Sequence, residues 1–324
     1  MLNVSVALVA VVLLALTFDF INGFHDTANS IATSVSTRVL SPRQAIIMAA
    51  SLNFLGAMVS SKVAKTISGG LVHGSLPEYV IIATLIAAII WDLITWYFGI
   101  PSSSSHALIG GLVGASIVYA ATVQKIVWMG VLNKVIIPLI TSPLIGFILG
   151  FLVMKLLFRL LCRCTPVFVE RYFSKLQIFS AAFMSFEHGK NDAQKSMGII
   201  TLALFSGGLI PTNDVPTWVM VACATAMALG TSVGGWKIIK TMGVNMIRLL
   251  PINGFAAETS AAIVISGASA IGAPVSTTHV ISTAIMGVGA SKRVSAGRWP
   301  RISFGPGSLP YHPPPSLADS SPGG

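Results

Sequence analysis

The sequence predicts an all-α polytopic membrane protein made of two inverted-topology repeats with broken or re-entrant helices. Three observations carry that prediction. The first is composition: across 324 residues the hydrophobic fraction is 54% and the charged fraction only 9%, a balance that belongs to membrane chains. The second is run length. Val135 to Met154, Pro216 to Trp236 and Thr259 to Ser291 carry no charged side chain, and about 20 apolar residues cross a hydrocarbon core of roughly 30 Å. The third is duplication. The stretch FDFINGFHDTANSIAT (Phe18 to Thr33) has a second copy, MSFEHGKNDAQKSMGII (Met184 to Ile200), in which Gly189 matches Gly23, Asp192 matches Asp26 and Ser196 matches Ser30. IPSSSSH (Ile100 to His106) matches APVSTTH (Ala273 to His279), and VAKTI (Val63 to Ile67) resembles IIKTM (Ile238 to Met242), in the same order and at nearly the same offset.

Taken in order, the first span is Leu2 to Thr33, with a bend expected at Asn22 to Gly23 because glycine interrupts a polar stripe there. It has neither the charged start nor the small-residue cleavage site of a signal peptide, so it is expected to be a span of the mature protein. Ala45 to Ser61, Tyr79 to Phe98, Ala107 to Thr122 and Val135 to Phe158 complete the first half. Leu176 to Phe205, Thr217 to Gly235, Gly254 to Ile271 and Val280 to Ala290 make up the second. The fourth and ninth segments are short, and each follows a run of proline and hydroxyl residues, so both are candidates for re-entrant helices.

The net charge of +10 does not imply a nucleic-acid partner. Asp19, Asp26, Asp92, Glu187, Asp192 and Glu258 lie in or beside apolar segments, while the bases cluster in short loops. One side collects Arg38, Arg43, Arg159, Arg163, Arg171, Lys175, Lys237, Lys240, Arg248, Lys292 and Arg293, which predicts a cytoplasmic face there and an outside N-terminus. Five crossings between the signature copies would invert the second repeat. The domains expected are a transmembrane repeat over 1–160, a basic cytoplasmic loop over 161–175, an incomplete second repeat over 176–296 and a disordered tail over 297–324. That tail holds seven of the seventeen prolines and no partner for Val135 to Phe158, which predicts a truncated or out-of-frame terminus. Cys162, Cys164 and Cys223 form no disulfide framework and no metal pattern.

The stripe Asp19, Asn22, Asp26, Asn29 lies on one helix face, and an acid within a span is a functional-site hypothesis by default. Asn22, Asp26, Asn29, Asn191, Asp192, Gln194 and Glu258 offer hard oxygen ligands for Na⁺ or a divalent metal, or carboxylates for H⁺. Ser103, Ser104, Ser105, Ser276, Thr277 and Thr278 stand at helix starts, where free N–H groups, hydroxyls and the helix dipole favour an anion; Lys195 adds a positive charge. Cation and anion then screen each other, so each binds better with the other present.

These residues resemble the inorganic phosphate transporter (PiT) family, whose Gly-x-Asn-Asp-x-Ala-Asn signature occurs once per half. Here the copies read Gly23-Phe24-His25-Asp26-Thr27-Ala28-Asn29 and Gly189-Lys190-Asn191-Asp192-Ala193-Gln194-Lys195. The resemblance implies a symporter of inorganic phosphate, alone or as neutral metal-phosphate, and not an enzyme. It implies no cofactor beyond a coupling ion, H⁺ or Na⁺, and a multi-pass location in the inner membrane, with the lipid bilayer as surroundings and a homo-oligomer as one open state. His25 stands where the signature has Asn, which favours H⁺. The rivals are a sulfate permease of the same superfamily, a non-transporting fragment, and a membrane hydrolase using His25 and His188 with the two aspartates, for which no His-Glu-x-x-His spacing exists.

Overall fold

The computed structural model describes residues 5–72, 74–245 and 249–295. The expected tail at 297–324 lies outside these residues. Twelve α-helices are present among them: α1 Val6–Ser36, α2 Pro42–Ala57, α3 Lys62–Gly69, α4 Glu78–Phe98, α5 Ser104–Ala120, α6 Trp128–Val131, α7 Ile137–Leu160, α8 Pro166–Ser206, α9 Thr217–Val233, α10 Trp236–Lys240, α11 Pro251–Ala270 and α12 Thr277–Ser295. A π-helical turn, Leu132–Ile136, joins α6 to α7. Val6–Ser36, Glu78–Phe98 and Trp128–Leu160 are each long and apolar enough to cross a membrane.

The starts follow from local chemistry. Ser5, Ser41 and Thr165 each accept a hydrogen bond from a first-turn N–H, which satisfies a donor that the helix itself leaves free. Proline begins α2, α8 and α11, where its missing N–H costs nothing.

The breaks fall elsewhere than expected. Helix α1 runs unbroken through Asn22 and Gly23, whereas α2 and α3 meet at 62° and α9 and Trp236–Gly243 at 64°. Gly23 serves close approach instead of bending. A methyl group there would lie 2.4 Å from the Met227 carbonyl oxygen on α9, and one at Gly230 would lie 2.0 Å from that of Phe20. The other signature is packed the same way: a methyl at Gly189 would meet the Asn53 carbonyl oxygen at 2.2 Å, and one at Gly56 that of Phe186 at 2.0 Å. Small residues let membrane helices touch backbone to backbone, so each signature helix is clamped by the second helix of the other half. The basic loop is also shorter than expected, because α8 already begins at Pro166.

The third matched motif explains itself in this frame. Thr66 Oγ1 donates to the Gly272 carbonyl at 2.7 Å and Thr241 Oγ1 to the Gly99 carbonyl at 3.0 Å. Lys62 Nζ donates to Ala270 O at 3.1 Å and Lys237 Nζ to Tyr97 O at 2.9 Å. Helices α4 and α11 end on Gly99 and Gly272, both with φ near +70°, and their last carbonyls are satisfied by side chains from the opposite half.

Two apolar clusters flank the centre. One joins α1, α3, α4, α5 and α9 around Phe18, Ile67, Leu85 and Met227; the other joins α2, α7, α11 and α12 around Ala49, Met154, Ala261 and Ala284. Between them α1 and α8 lie together, and from Ile21 to Ser34 and from Glu187 to Leu204 nearly every residue is buried.

Candidate functional site

The two signatures and the two hydroxyl runs come together. Asp26 Oδ1 is 2.6 Å from His25 Nδ1, and His25 Nε2 is 3.0 Å from Thr95 Oγ1 on α4, so the imidazole is held between a carboxylate and a hydroxyl. Ser104 Oγ donates to Asn22 Oδ1 at 2.6 Å and lies 3.1 Å from Asp26 Oδ2. Thr278 Oγ1 is 3.4 Å from Asp26 Oδ1, and Asn29 Nδ2 donates to Thr278 at 2.9 Å and to Thr277 at 3.3 Å. On the second signature, Asp192 Oδ2 accepts from Thr277 Oγ1 at 3.2 Å and lies 3.0 Å from Lys195 Nζ and 3.4 Å from His188 Nε2.

Every one of these side chains is buried. Charges withdrawn from water are tolerated only when paired and hydrogen-bonded. The Asp192–Lys195 pair and the Asp26–His25 pair meet that requirement on opposite sides of one centre.

Asp26, His188 and Asp192 each present a ligand atom within 4.8 Å of the others. Asn29 Oδ1, Asn191 Oδ1 and Asp192 Oδ1 are buried and accept no hydrogen bond among the described residues. Oxygen acceptors with nothing to accept from suit a hard cation, which takes carboxylate and amide oxygens as ligands. The hydroxyls suit an anion. Ser104, Thr277 and Thr278 spend their protons on the site's own oxygens here, and a phosphate oxygen placed among them would compete for the same protons.

The remaining expected site residues are placed differently. Ser103 and Ser276 cap α5 and α12, accepting from the N–H of His106 at 3.2 Å and of His279 at 3.3 Å, and their hydroxyl protons stay free to donate. Ser105 Oγ donates to Val275 O at 2.8 Å, tying one run to the other. Asn191 Nδ2 donates to Ser269 Oγ at 2.9 Å. Glu258 lies apart from both aspartates: it accepts from Thr33, Ser180 and Gln177, a separate buried carboxylate site.

Two supporting side chains, Asn53 and Thr95, escaped the sequence reading. Asn53 on α2 donates to Thr231 Oγ1 at 2.9 Å and meets His188 Nδ1 at 3.2 Å; its signal was a lone amide in an apolar span. Gln194, expected among the hard oxygen ligands, instead turns its Oε1 to the N–H groups of Val63 and Ala64 at 2.8 and 3.2 Å, capping α3. Thr95, which orients His25, carries no signal in the chain, since a threonine in a membrane helix normally bonds back to its own carbonyls.

A bundle of apolar helices with bent pairs, enclosing buried carboxylates and hydroxyls where two signature helices meet, defines a multi-pass membrane transporter. The phosphate transporter family matches residues 22–304, and the chain belongs to that family. It is 53% identical over 298 residues to a probable low-affinity inorganic phosphate transporter of Bacillus subtilis, covering 90% of this chain and 88% of that one. Against the protein of the same description from Rhizobium meliloti the identity is 50%, with the same coverage of both chains. A solved structure titled the sodium-dependent phosphate transporter superposes with a TM-score of 0.81 at 26% identity, over 90% of this chain and 91% of that one. These relatives are transporters and not enzymes, which removes the hydrolase reading.

Proposed function

We propose that this chain is a secondary active symporter of inorganic phosphate in a bacterial inner membrane, with Asp26 and Asp192 binding the coupling cation and the two hydroxyl runs binding the anion. The observation that carries the proposal is the meeting of Asp26, Asp192, Ser104, Thr277 and Thr278, drawn from four helices, at one buried centre. Anion and cation are then bound side by side, and the affinity each lends the other is the coupling free energy of symport.

The roles follow from the geometry. Ser104, Thr277 and Thr278 donate to phosphate, with Asn29 orienting the two threonines and Ser103, Ser105 and Ser276 holding the helix starts that frame them. Lys195 balances Asp192, so that the centre gains a cation without losing the anion. Asn22, Asn191 and Glu258 complete the oxygen set, Glu258 at its own position beside Thr33. The coupling ion is H⁺ or Na⁺. His25 on Asp26 favours H⁺, because the pair can share a proton taken up on one side of the membrane and released on the other, and the sodium-dependent relative favours Na⁺. Neutral metal-phosphate is the third form, supported by the Asp26, His188 and Asp192 cluster.

The two halves are related, in this reading, by inversion across the membrane. Transport would proceed by rocking one repeat against the other, a motion that has to accommodate the close crossings of α1 on α9 and of α8 on α2.

Radiolabelled phosphate uptake into proteoliposomes tests the proposal, with a pH gradient and a Na⁺ gradient imposed separately. Uptake driven by one of them names the ion. Asp26→Asn is expected to abolish driven uptake while leaving the protein in the membrane, and normal uptake by that variant sinks the role of Asp26. Competition by arsenate and not by molybdate separates phosphate from sulfate.

A further inference from the structure

Outside the buried centre, the histidines that end the two hydroxyl runs face each other. His106 on α5 and His279 on α12 have ring centres 5.3 Å apart, with the planes tilted by 51°. They border a cleft of about 500 Å³, lined also by Trp91, Pro101, Ser102 and Ser103. His106 is exposed and His279 half-buried. Among the described residues no hydrogen bond engages a ring nitrogen of either one; their backbone N–H groups are the ones that meet Ser103 and Ser276.

We propose that His106 and His279 form a two-histidine chelate for a divalent first-row transition cation of the Zn²⁺ class. The spacing fits. A zinc–nitrogen bond of about 2.0–2.1 Å plus about 1.2 Å from nitrogen to ring centre, at a tetrahedral angle, places two ligating rings about 5.2 Å apart. Unsatisfied imidazole nitrogens are suitable ligands for such ions, which prefer them to carbonyl oxygens. Water or an anion's oxygen would fill the remaining positions, and Ser102 and Ser103 are there to accept from a bound water.

The position gives the site its meaning. His279 directly follows Thr278, whose hydroxyl is 3.4 Å from Asp26, and His106 lies two residues after Ser104, which bonds Asn22. A cation held by the pair would stand at the rim of the proposed anion centre, tying the start of α5 to that of α12. The inference does not depend on transport, since the cation alone can be tested.

The test is Zn²⁺ binding to the purified full chain in detergent, by calorimetry, without phosphate, in a Cys162→Ser, Cys164→Ser background that removes the accessible thiols and leaves only the buried Cys223. One Zn²⁺ per chain is expected. His106→Gln and His279→Gln should each weaken it about tenfold or more, while Asp192→Asn should not. His279→Cys supplies a thiolate ligand and should retain binding, which separates lost ligation from a misfolded protein. In the same background Co²⁺ should show a visible spectrum of nitrogen ligation that either glutamine variant removes. The proposal is overturned by absence of Zn²⁺ binding in the parent, by unchanged affinity in either glutamine variant, or by loss of binding in Asp192→Asn alone.

Discussion

Among neighbouring serines the structure separates two jobs that share one composition. Ser103 accepts from an N–H at a helix start, whereas Ser104 donates to Asn22 and lies against Asp26. Replacing a cap serine by alanine costs about 1 kcal/mol, so Ser103→Ala is expected to lower the melting temperature while leaving the KM for phosphate near that of the parent. Ser104→Ala is expected to raise the KM with little change in melting, because the hydroxyl lost there faces the centre. Paired kinetic and thermal measurements on the two variants check this directly. The run SSSS was legible as a helix start rich in hydroxyls, but which serine caps and which donates depends on a quarter turn of helix that four identical residues cannot encode. His188 shows the converse: it was visible beside Gly189 in the second copy of the signature stretch, and its contact with Asn53 on another helix was not.

Helices are held together here by a few repeated contacts, and these carry their own expectations. Thr66→Val and Thr241→Val each remove a hydrogen bond to a glycine carbonyl at the end of a helix from the other half. A net loss of about 0.5–1.5 kcal/mol is expected for each, read as a lower unfolding midpoint in detergent. The glycine crossings are less forgiving. Gly230→Val puts a branched side chain where even a methyl would lie 2.0 Å from the Phe20 oxygen, and overpacking of this kind costs about 1–3 kcal/mol or more. A thermal shift of the solubilised variant, or its failure to accumulate in the membrane, checks it. The duplication of VAKTI and IIKTM was plain in the sequence, yet its purpose was not, since the carbonyls that the two threonines meet lie 206 and 142 residues away in the chain. The bend expected at Gly23 rested on glycine as a helix breaker; the structure uses the same residue for its missing side chain.

At the scale of the whole molecule, the halves are interlocked and not merely adjacent. Residues 1–160 or 166–295 produced alone should each leave a signature helix without its clamp and its polar stripe facing lipid, and neither is expected to accumulate as a folded unit. Co-production of the two pieces, cut in the short connection at 161–165, should restore a complex that purifies as one species; stable accumulation of either piece alone would count against the interlock. The membrane class, the duplication and the meeting of the signatures were all legible, because each is written in residue type and spacing. The identity of the partner helices was not, because swapping leaves no trace in local pattern. The swap also sets a schedule for synthesis. Gly23 on α1 waits for Gly230 on α9, about 200 residues later, and a ribosome adding 5–20 residues per second needs about 10–40 s to supply it. Through most of that interval Asp26 and Asn29 lack α8, and Thr278 is added only after it, so the nascent first half must be kept from lipid by the insertion machinery until the second half arrives.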